Sequence, residues 1–421
     1  MEEIMKAIRL MEQQKHDEAV IQLETALETA DEEEMFTIAE IYQQWGYVKE
    51  AAEILEILRQ SYPGESELNI MLADLYIEVE NDEQAIELLN EVKTDDEAYV
   101  QSLVQLADLY QAQGLFEVAE QKLLEAKQLE PNEMIIDFAL GELYFSIGDH
   151  LKSINYYERV LPESTVVADI SVGLRLAEAH AASGGYEEAI NYYRDAEPED
   201  PDTLFKYGLA AHQIDRNDIA IHVWEQVIEL DMYYHTAYYY LAEAYDKEEM
   251  TKEALNAAKK GLTVDEYNAQ LYFLAGKLAH KLGEDDESEQ YLRQSIALDP
   301  DYKEAILFLV EMFKSNDSHE AIIDLLQEVN RTETTDALYE WELARAYYEN
   351  ESFKDALKHY DLAYNTLKQD SDFLKEYAYF LIEEGRKEKA IQIFESYLLL
   401  QPLDTETEAY VDRLKETHTS E

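Results

Sequence analysis

No cysteine occurs anywhere in the 421 residues. Disulfide frameworks, thiolate metal sites and cysteine nucleophiles are therefore excluded. Cations are also few, with 34 Lys and Arg against 93 Asp and Glu and a formal net charge of −59. Attraction to phosphate dominates generic nucleic-acid and anionic-membrane contacts, so neither partner is expected. No apolar run approaches the roughly 18 residues that a membrane span needs. The N-terminal stretch MEEIMKAIRLMEQQ is an acidic amphipathic helix rather than the apolar core of a secretion signal. A soluble cytoplasmic protein is the expectation.

Catalytic signatures are missing as well. The chain has no GxxxxGK[ST] phosphate loop, no GxGxxG turn after a strand, and no HExxH pair among its 10 His. Carboxylate pairs are abundant, but 93 acids on helices produce them by chance, which removes their value as a general-acid signal. No catalytic residue, cofactor or metal ligand is assigned, and the chain is read as not an enzyme.

What the sequence has is a period. A small residue recurs as Ala19, Ala51, Ala85, Ala119, Ser153, Ala189, Ala220, Ala254, Ser288, Ala321, Ala356 and Ala390, at intervals of 32, 34, 34, 34, 36, 31, 34, 34, 33, 35 and 34. Spacing near 34 matches one helix–turn–helix unit and predicts a solenoid rather than separate globular domains. Twelve residues before this marker stands Ala or Gly in every unit but the tenth, where Leu309 falls. Small side chains there let two helices approach closely. Nine before it, Tyr42, Tyr76, Tyr110, Tyr144, Tyr245 and Tyr347 fill the space beside that contact. Five before it, six units carry glycine, which permits the positive φ that ends a helix, and six do not. Twelve after it, Pro63, Pro131, Pro201, Pro300 and Pro402 stop one helix or open the next.

This combination resembles the tetratricopeptide repeat. The resemblance covers residues 1 to about 404 and implies an all-α fold, a right-handed α-solenoid superhelix of about twelve repeats without β-sheet. The predicted organisation is a repeat solenoid over 1–404, with a hinge at 161–202, and a capping helix and tail over 405–421. The hinge is placed where intervals of 36 and 31 flank the sixth repeat and where Pro198 and Pro201 cut its second helix short. In the final helix, Val411 and Leu414 are available to cover the last core face.

In this family the first helix of each repeat lines a concave binding surface. Fifteen residues before the marker that helix carries an apolar stripe including Phe138, Phe205, Tyr239, Phe273 and Trp341. Eleven before it come Glu40, Asp74, Asp108, Glu142 and Glu178, and later Lys277 and Arg345. Aromatic anchors beside regularly spaced charge fit an extended or helical peptide. The predicted partner-binding set is Phe138, Glu142, Phe205, Tyr239, Phe273, Lys277, Trp341 and Arg345, with Lys277 and Arg345 selecting acidic groups. Charge is uneven: residues 1–200 hold 12 Lys and Arg against 46 acids, and residues 201–421 hold 22 against 47.

The expected function is a non-enzymatic scaffold or adaptor holding a partner protein or peptide in the groove. A peptide-sensing regulator is the alternative, and a repeat-containing enzyme a more distant one. The whole-chain character resembles acidic cytoplasmic repeat proteins of low-GC Gram-positive bacteria. That resemblance implies a part in regulated proteolysis or cell-wall control.

Overall fold

A computed structural model describes residues 1–329 and 336–418. Its helices alternate with short turns. In the first six repeats they run Glu2–Glu12 and His16–Leu27, Glu32–Gln44 and Val48–Ser61, Ser66–Glu78 and Asp82–Asn90, Tyr99–Ala112 and Phe116–Leu129, Met134–Ser146 and His150–Val160, Val172–Ala182 and Tyr186–Ala196. The next six run Pro201–Gln213 and Asn217–Leu230, His235–Lys247 and Thr251–Val264, Ala269–Lys281 and Asp285–Leu298, Lys303–Ser315 and His319–Val329, Ala337–Glu349 and Phe353–Tyr364, Ser371–Glu383 and Lys387–Leu400, before the final helix Thr405–His418. The fold is an all-α repeat solenoid. By contact it divides into two units, Met1–Ala220 and Ile221–Glu421. Residues 419–421 of the predicted tail lie outside the described residues.

The turn inside each repeat explains the period. The residue five before the marker takes a left-handed φ in every repeat but the tenth, whether it is glycine (Gly46, Gly114, Gly148, Gly184, Gly283, Gly385) or not (Gln14, Glu80, Asp215, Glu249, Glu351). The following N–H then bonds back to the carbonyl of the residue nine before the marker, as in Tyr47 to Tyr42 at 2.8 Å and Met250 to Tyr245 at 2.9 Å. This closes the last turn of the first helix and aims the second helix back along it. A missing glycine therefore leaves the geometry unchanged and is tolerated at the cost of a strained residue.

The tenth repeat departs from the sequence expectation. Its left-handed residue is Asp317, and its closing bond runs from Ser318 to Phe313 at 2.8 Å, so the marker position is Ile322 rather than Ala321. Ile322 is buried and Ala321 only half-buried, whereas all eleven other markers are fully buried. With Ile322 in place the neighbouring intervals become 34 and 34. The residue twelve before it is then Val310, not Leu309, and the residue eleven before it is Glu311. Leu309 belongs to the buried core of this repeat in its own right.

The repeats are stapled to their neighbours. Tyrosines nine before the marker reach the second helix of the preceding repeat: the Tyr144 hydroxyl donates to Glu120 at 2.5 Å, and the Tyr76 hydroxyl to Glu56 at 3.3 Å. At the C-terminal end Val411 is buried against a cluster that includes Phe394 and Tyr397, with Leu414 packed alongside. Asp404 caps this last helix through the Thr407 N–H at 3.0 Å and also accepts from Lys375 and Tyr397.

One small sheet interrupts the helices, where none was expected. Val166–Val167 pairs antiparallel with Ile170–Ser171 across Ala168 and Asp169, both at positive φ. The long interval of 36 leaves chain to spare here, and Pro162 helps stop helix His150–Val160. Val167 is buried with Phe138, Tyr157, Val160 and Val172, so the hairpin covers apolar surface that a longer helix would otherwise cover. Further on, Glu197 ends helix Tyr186–Ala196 in a left-handed conformation. Asp200 then caps the next helix through the Thr203 N–H at 2.8 Å, and Pro201 occupies its first turn.

Candidate binding pockets on the first helices

A cavity of about 530 Å³ opens on the first helices of repeats 10 to 12. Its floor includes buried Ile322, Ala346, Tyr360 and Phe380. One wall is a run of alternating charge across three successive first helices. Lys314 meets Glu311 at 2.8 Å and Glu342 at 2.5 Å; Arg345 meets Glu342 at 3.0 Å and Glu376 at 2.5 Å. Glu376 is held further by the Tyr360 hydroxyl and the Trp341 indole N–H, each at 2.8 Å. Desolvation lowers the Arg345 pKa, but Glu376 and Glu342 outweigh it and hold the guanidinium charged. Burial and the adjoining Glu376 push the Tyr360 phenol well above its ordinary range, so it remains a hydrogen-bond donor. Further along the same first helices the lining continues with Tyr348, Glu349, Tyr379 and Glu383. Tyr348 donates to Glu383 at 2.5 Å, and this bond, ahead of desolvation, pushes its pKa up to about 12.

A second cavity, about 480 Å³, opens on repeats 5 to 7 and is lined by Phe145, Arg175, Glu178, Tyr193, Lys206, Leu209 and Gln213 among others. Counted from the markers, its charged positions match those of the first with the signs exchanged. Arg175 stands where Glu342 stands, Glu178 where Arg345 does, and Lys206 where Glu376 does. The ionic run is again continuous: Glu142 to Arg175 at 2.9 Å, Arg175 to Glu178 at 3.0 Å, Lys206 to Glu178 at 2.5 Å. Tyr193 and Tyr360 hold equivalent places four residues after their markers. The repeat thus builds one kind of cavity twice, with inverted charge.

The residues singled out from sequence separate into two groups. Glu142 and Arg345 belong to these ionic runs, although only Arg345 lines a cavity. Arg345 spends its donors on Glu342 and Glu376 and lies 4.0 Å above the Trp341 ring, so it is not the open anion-selecting group expected from the sequence. Phe138 and Trp341 are buried. Phe138 packs on Tyr157 and Trp341 on Phe373, with ring centroids 6.0 and 5.4 Å apart. Phe205 and Tyr239 are half-buried. Phe273 is half-buried against Tyr302 and Phe308, with exposed Lys277 5.3 Å from its ring centroid.

The aromatic stripe therefore turns toward the neighbouring repeat. The open face is carried by residues one position further along and by those seven to eleven before the marker, such as Tyr348, Glu349, Tyr379 and Glu383. Reading those columns as well as the apolar one would have found them.

The acidic rungs of the first unit differ in their surroundings. Asp74 accepts from Gln105 at 2.6 Å, yet desolvation still raises its pKa. Asp108 reaches solvent, but the protein crowding it raises its carboxyl to about 6. Among the described residues, no group of three or more His, Asp or Glu could hold a metal ion. No helix among them is long and apolar enough to cross a membrane.

Comparison with known proteins agrees with the repeat geometry. Models described as YpiA-like tetratricopeptide repeats match residues 111–165 and, for the C-terminal repeats, 338–404. A general tetratricopeptide-repeat model matches 269–302, and one for the ARM repeat of tetratricopeptide repeat protein 21 matches 2–115. The TPR repeat-containing protein YpiA of Bacillus subtilis is 38% identical over 415 residues, covering 98% of both chains. The chain belongs to the YpiA-like tetratricopeptide-repeat proteins. Among solved structures of this family's fold, YrrB, described as a TPR protein with an unusual peptide-binding site, is 17% identical. It covers 44% of this chain and 95% of its own at a TM-score of 0.39. The Cut9–Hcn1 hetero-tetramer is 15% identical over 97% of this chain and 95% of its own, at a TM-score of 0.34.

Proposed function

We propose that this YpiA-like chain is a non-enzymatic scaffold that holds a segment of a partner protein on the first helices of its repeats. The observation that carries the reading is the cavity of repeats 10 to 12. It has a buried apolar floor, one exposed and one half-buried tyrosine and fixed charge, the combination that small binding sites use for affinity and orientation. Neither cavity is lined by a serine, threonine or cysteine, and the lysines and arginines of both are committed to neighbouring carboxylates, which favours recognition over chemistry. The pair Phe273 and Lys277 stands in the same register on repeat 9 and extends the proposed surface. A narrower role in regulated proteolysis or cell-wall control rests on the whole-chain resemblance, and a cytoplasmic location on the sequence features described first.

Affinity purification of the tagged chain from its native host, with mass spectrometry, tests the scaffold reading. Partners should be recovered with the wild type, depleted with Tyr379→Ala or Lys277→Glu, and retained with Leu362→Ala on a second helix. Partners retained by both first-helix variants and lost with Leu362→Ala would move the site to the other face and end the proposal.

A further inference from the structure

The cavity of repeats 10 to 12 has a charge preference that its sequence alone conceals. We propose that it takes a positively charged side chain, arginine or lysine, presented by an extended segment of a partner protein. This rests on the scaffold reading above and narrows it to one partner chemistry.

The first argument is that the cavity's lysine and arginine are spent. Lys314 is bound between Glu311 and Glu342, and Arg345 between Glu342 and Glu376. An incoming carboxylate would have to replace Glu376 on Arg345, and Glu376 is also held by Trp341 and Tyr360. Displacing it would leave two further donors without their acceptor, which is costly in a half-buried site.

The second argument is that the C-terminal ends of the same helices have acid left over. Four glutamates line the cavity against one lysine, one arginine and one histidine, His319. Glu349 and Glu383 occupy the same register on successive first helices, and both are exposed. Glu383 accepts the hydroxyl of Tyr348; among the described residues Glu349 makes no ion pair. A cation entering between them gains two carboxylates without breaking an existing pair.

The third argument is the ring surface. Tyr379 is 40% exposed, and it lines the cavity with Tyr348 and Phe380. Aromatic faces attract cations through their quadrupole, and the apolar floor suits the aliphatic stem of a long basic side chain. The net charge of −59 would speed the approach of such a segment. The cavity of repeats 5 to 7 supplies the contrast. It carries Gln213 where this one carries Glu383, Leu209 where this one carries Tyr379, and Ala181 where this one carries Tyr348.

The test uses the full chain with labelled alanine and tyrosine side chains, observed by NMR at Ala346, Tyr348 and Tyr379. Three probes are titrated, acetyl-Gly-Ser-X-Ser-Gly-amide with X as arginine, its neutral isostere citrulline, or glutamate. The arginine probe should give saturable shifts at Ala346 and Tyr379, with citrulline and glutamate several-fold weaker. Glu349→Gln combined with Glu383→Gln should weaken the arginine probe about fivefold, as loss of two exposed ion pairs does, and leave citrulline unchanged. Unaltered tyrosine spectra in the free variant confirm that it folds.

Arginine binding that ignores the double substitution would reduce the effect to diffuse attraction by the acidic chain and overturn the proposal. Equal shifts with citrulline and arginine would also overturn it, while leaving the scaffold reading intact. If no probe moves these signals and a captured partner maps to the second helices, both readings fall.

Discussion

The ring of Tyr157 occupies the space beside Gly141 so fully that a β-carbon on Gly141 would lie 2.5 Å from it. The same tyrosine is fully buried and donates to Glu142 at 2.6 Å, so it has no room to withdraw. Gly141→Ala should overpack this contact at a cost of roughly 1–3 kcal/mol, offset by up to about 1 kcal/mol of better helix propensity. Denaturant unfolding should show a net loss. In a Tyr157→Leu background the same substitution should cost little or nothing, because the clash and its cost are shared by the pair. An additive result would locate the strain elsewhere.

Ala107 stands in the equivalent place one repeat earlier, buried with Leu103, Ala119 and Leu123. Ala107→Leu should cost roughly 1–3 kcal/mol for the same reason. A melting temperature equal to wild type would contradict the close approach of the two helices of repeat 4.

Turn residues should respond in opposite directions. Glu249 holds φ 61° without the freedom of glycine, so Glu249→Gly should stabilise by about 1 kcal/mol. Gly46 is at φ 78°, and a β-carbon there would meet nothing within 4 Å, so Gly46→Ala should destabilise by a similar amount through backbone strain alone. Calorimetric scans of the two variants beside wild type decide the matter, and shifts of the same sign in both would refute it.

Asp108 makes stability depend on pH. Its carboxyl pKa is about 6 in the folded chain, above the ordinary value near 3.9. The folded state therefore holds this proton more tightly than the unfolded state. The contribution favours folding at low pH and is lost as pH rises through about 6. Asp108→Asn removes that loss. Its melting temperature should exceed wild type at pH 7.5, with the gap closing toward pH 4. A gap independent of pH would mean that the substitution acts by some route other than the charge.

A hinge at 161–202 is proposed for the joint around repeat 6, where helix Tyr186–Ala196 stops early and Glu197 takes a left-handed φ. A glutamate-specific protease at low ratio should cut first after Glu199, since exposed loop backbone is nicked before helix and the bond after Glu197 is protected by Pro198. First cuts inside a repeat helix, with 197–202 intact, would argue for a continuous rigid stack through this point.

The period was legible in the sequence because burial repeats with it: in eleven of the twelve repeats the marker is small where two helices touch. Repeat 10 misled for a physical reason. Its marker is Ile322, beside the small Ala321, and its turn residue is Asp317 in place of glycine, so the two local signals were both absent. The spacing of 34 on either side of Ile322 was the remaining clue. The hairpin at 166–171 was hidden because Ala168 and Asp169 are not the glycine-bearing pair expected of such a turn. The cavities were harder to foresee. Trp341 and Phe138 look like groove residues by type, yet their position on the helix turns them toward the next repeat. The tyrosines and glutamates that line the cavity in repeats 11 and 12 sit about two turns further along the first helices, among many similar residues on an acidic chain.

Trp341 is one of 3 tryptophans in the chain. A guanidinium lies over its ring and a carboxylate accepts its N–H, and both groups line the cavity of repeats 10 to 12. Indole emission responds to the electric field along the ring. The ionic pair around Trp341 thus couples that field to whatever charge occupies the cavity. The protein carries a built-in optical gauge there, readable in a Trp45→Phe, Trp224→Phe background without attaching a dye.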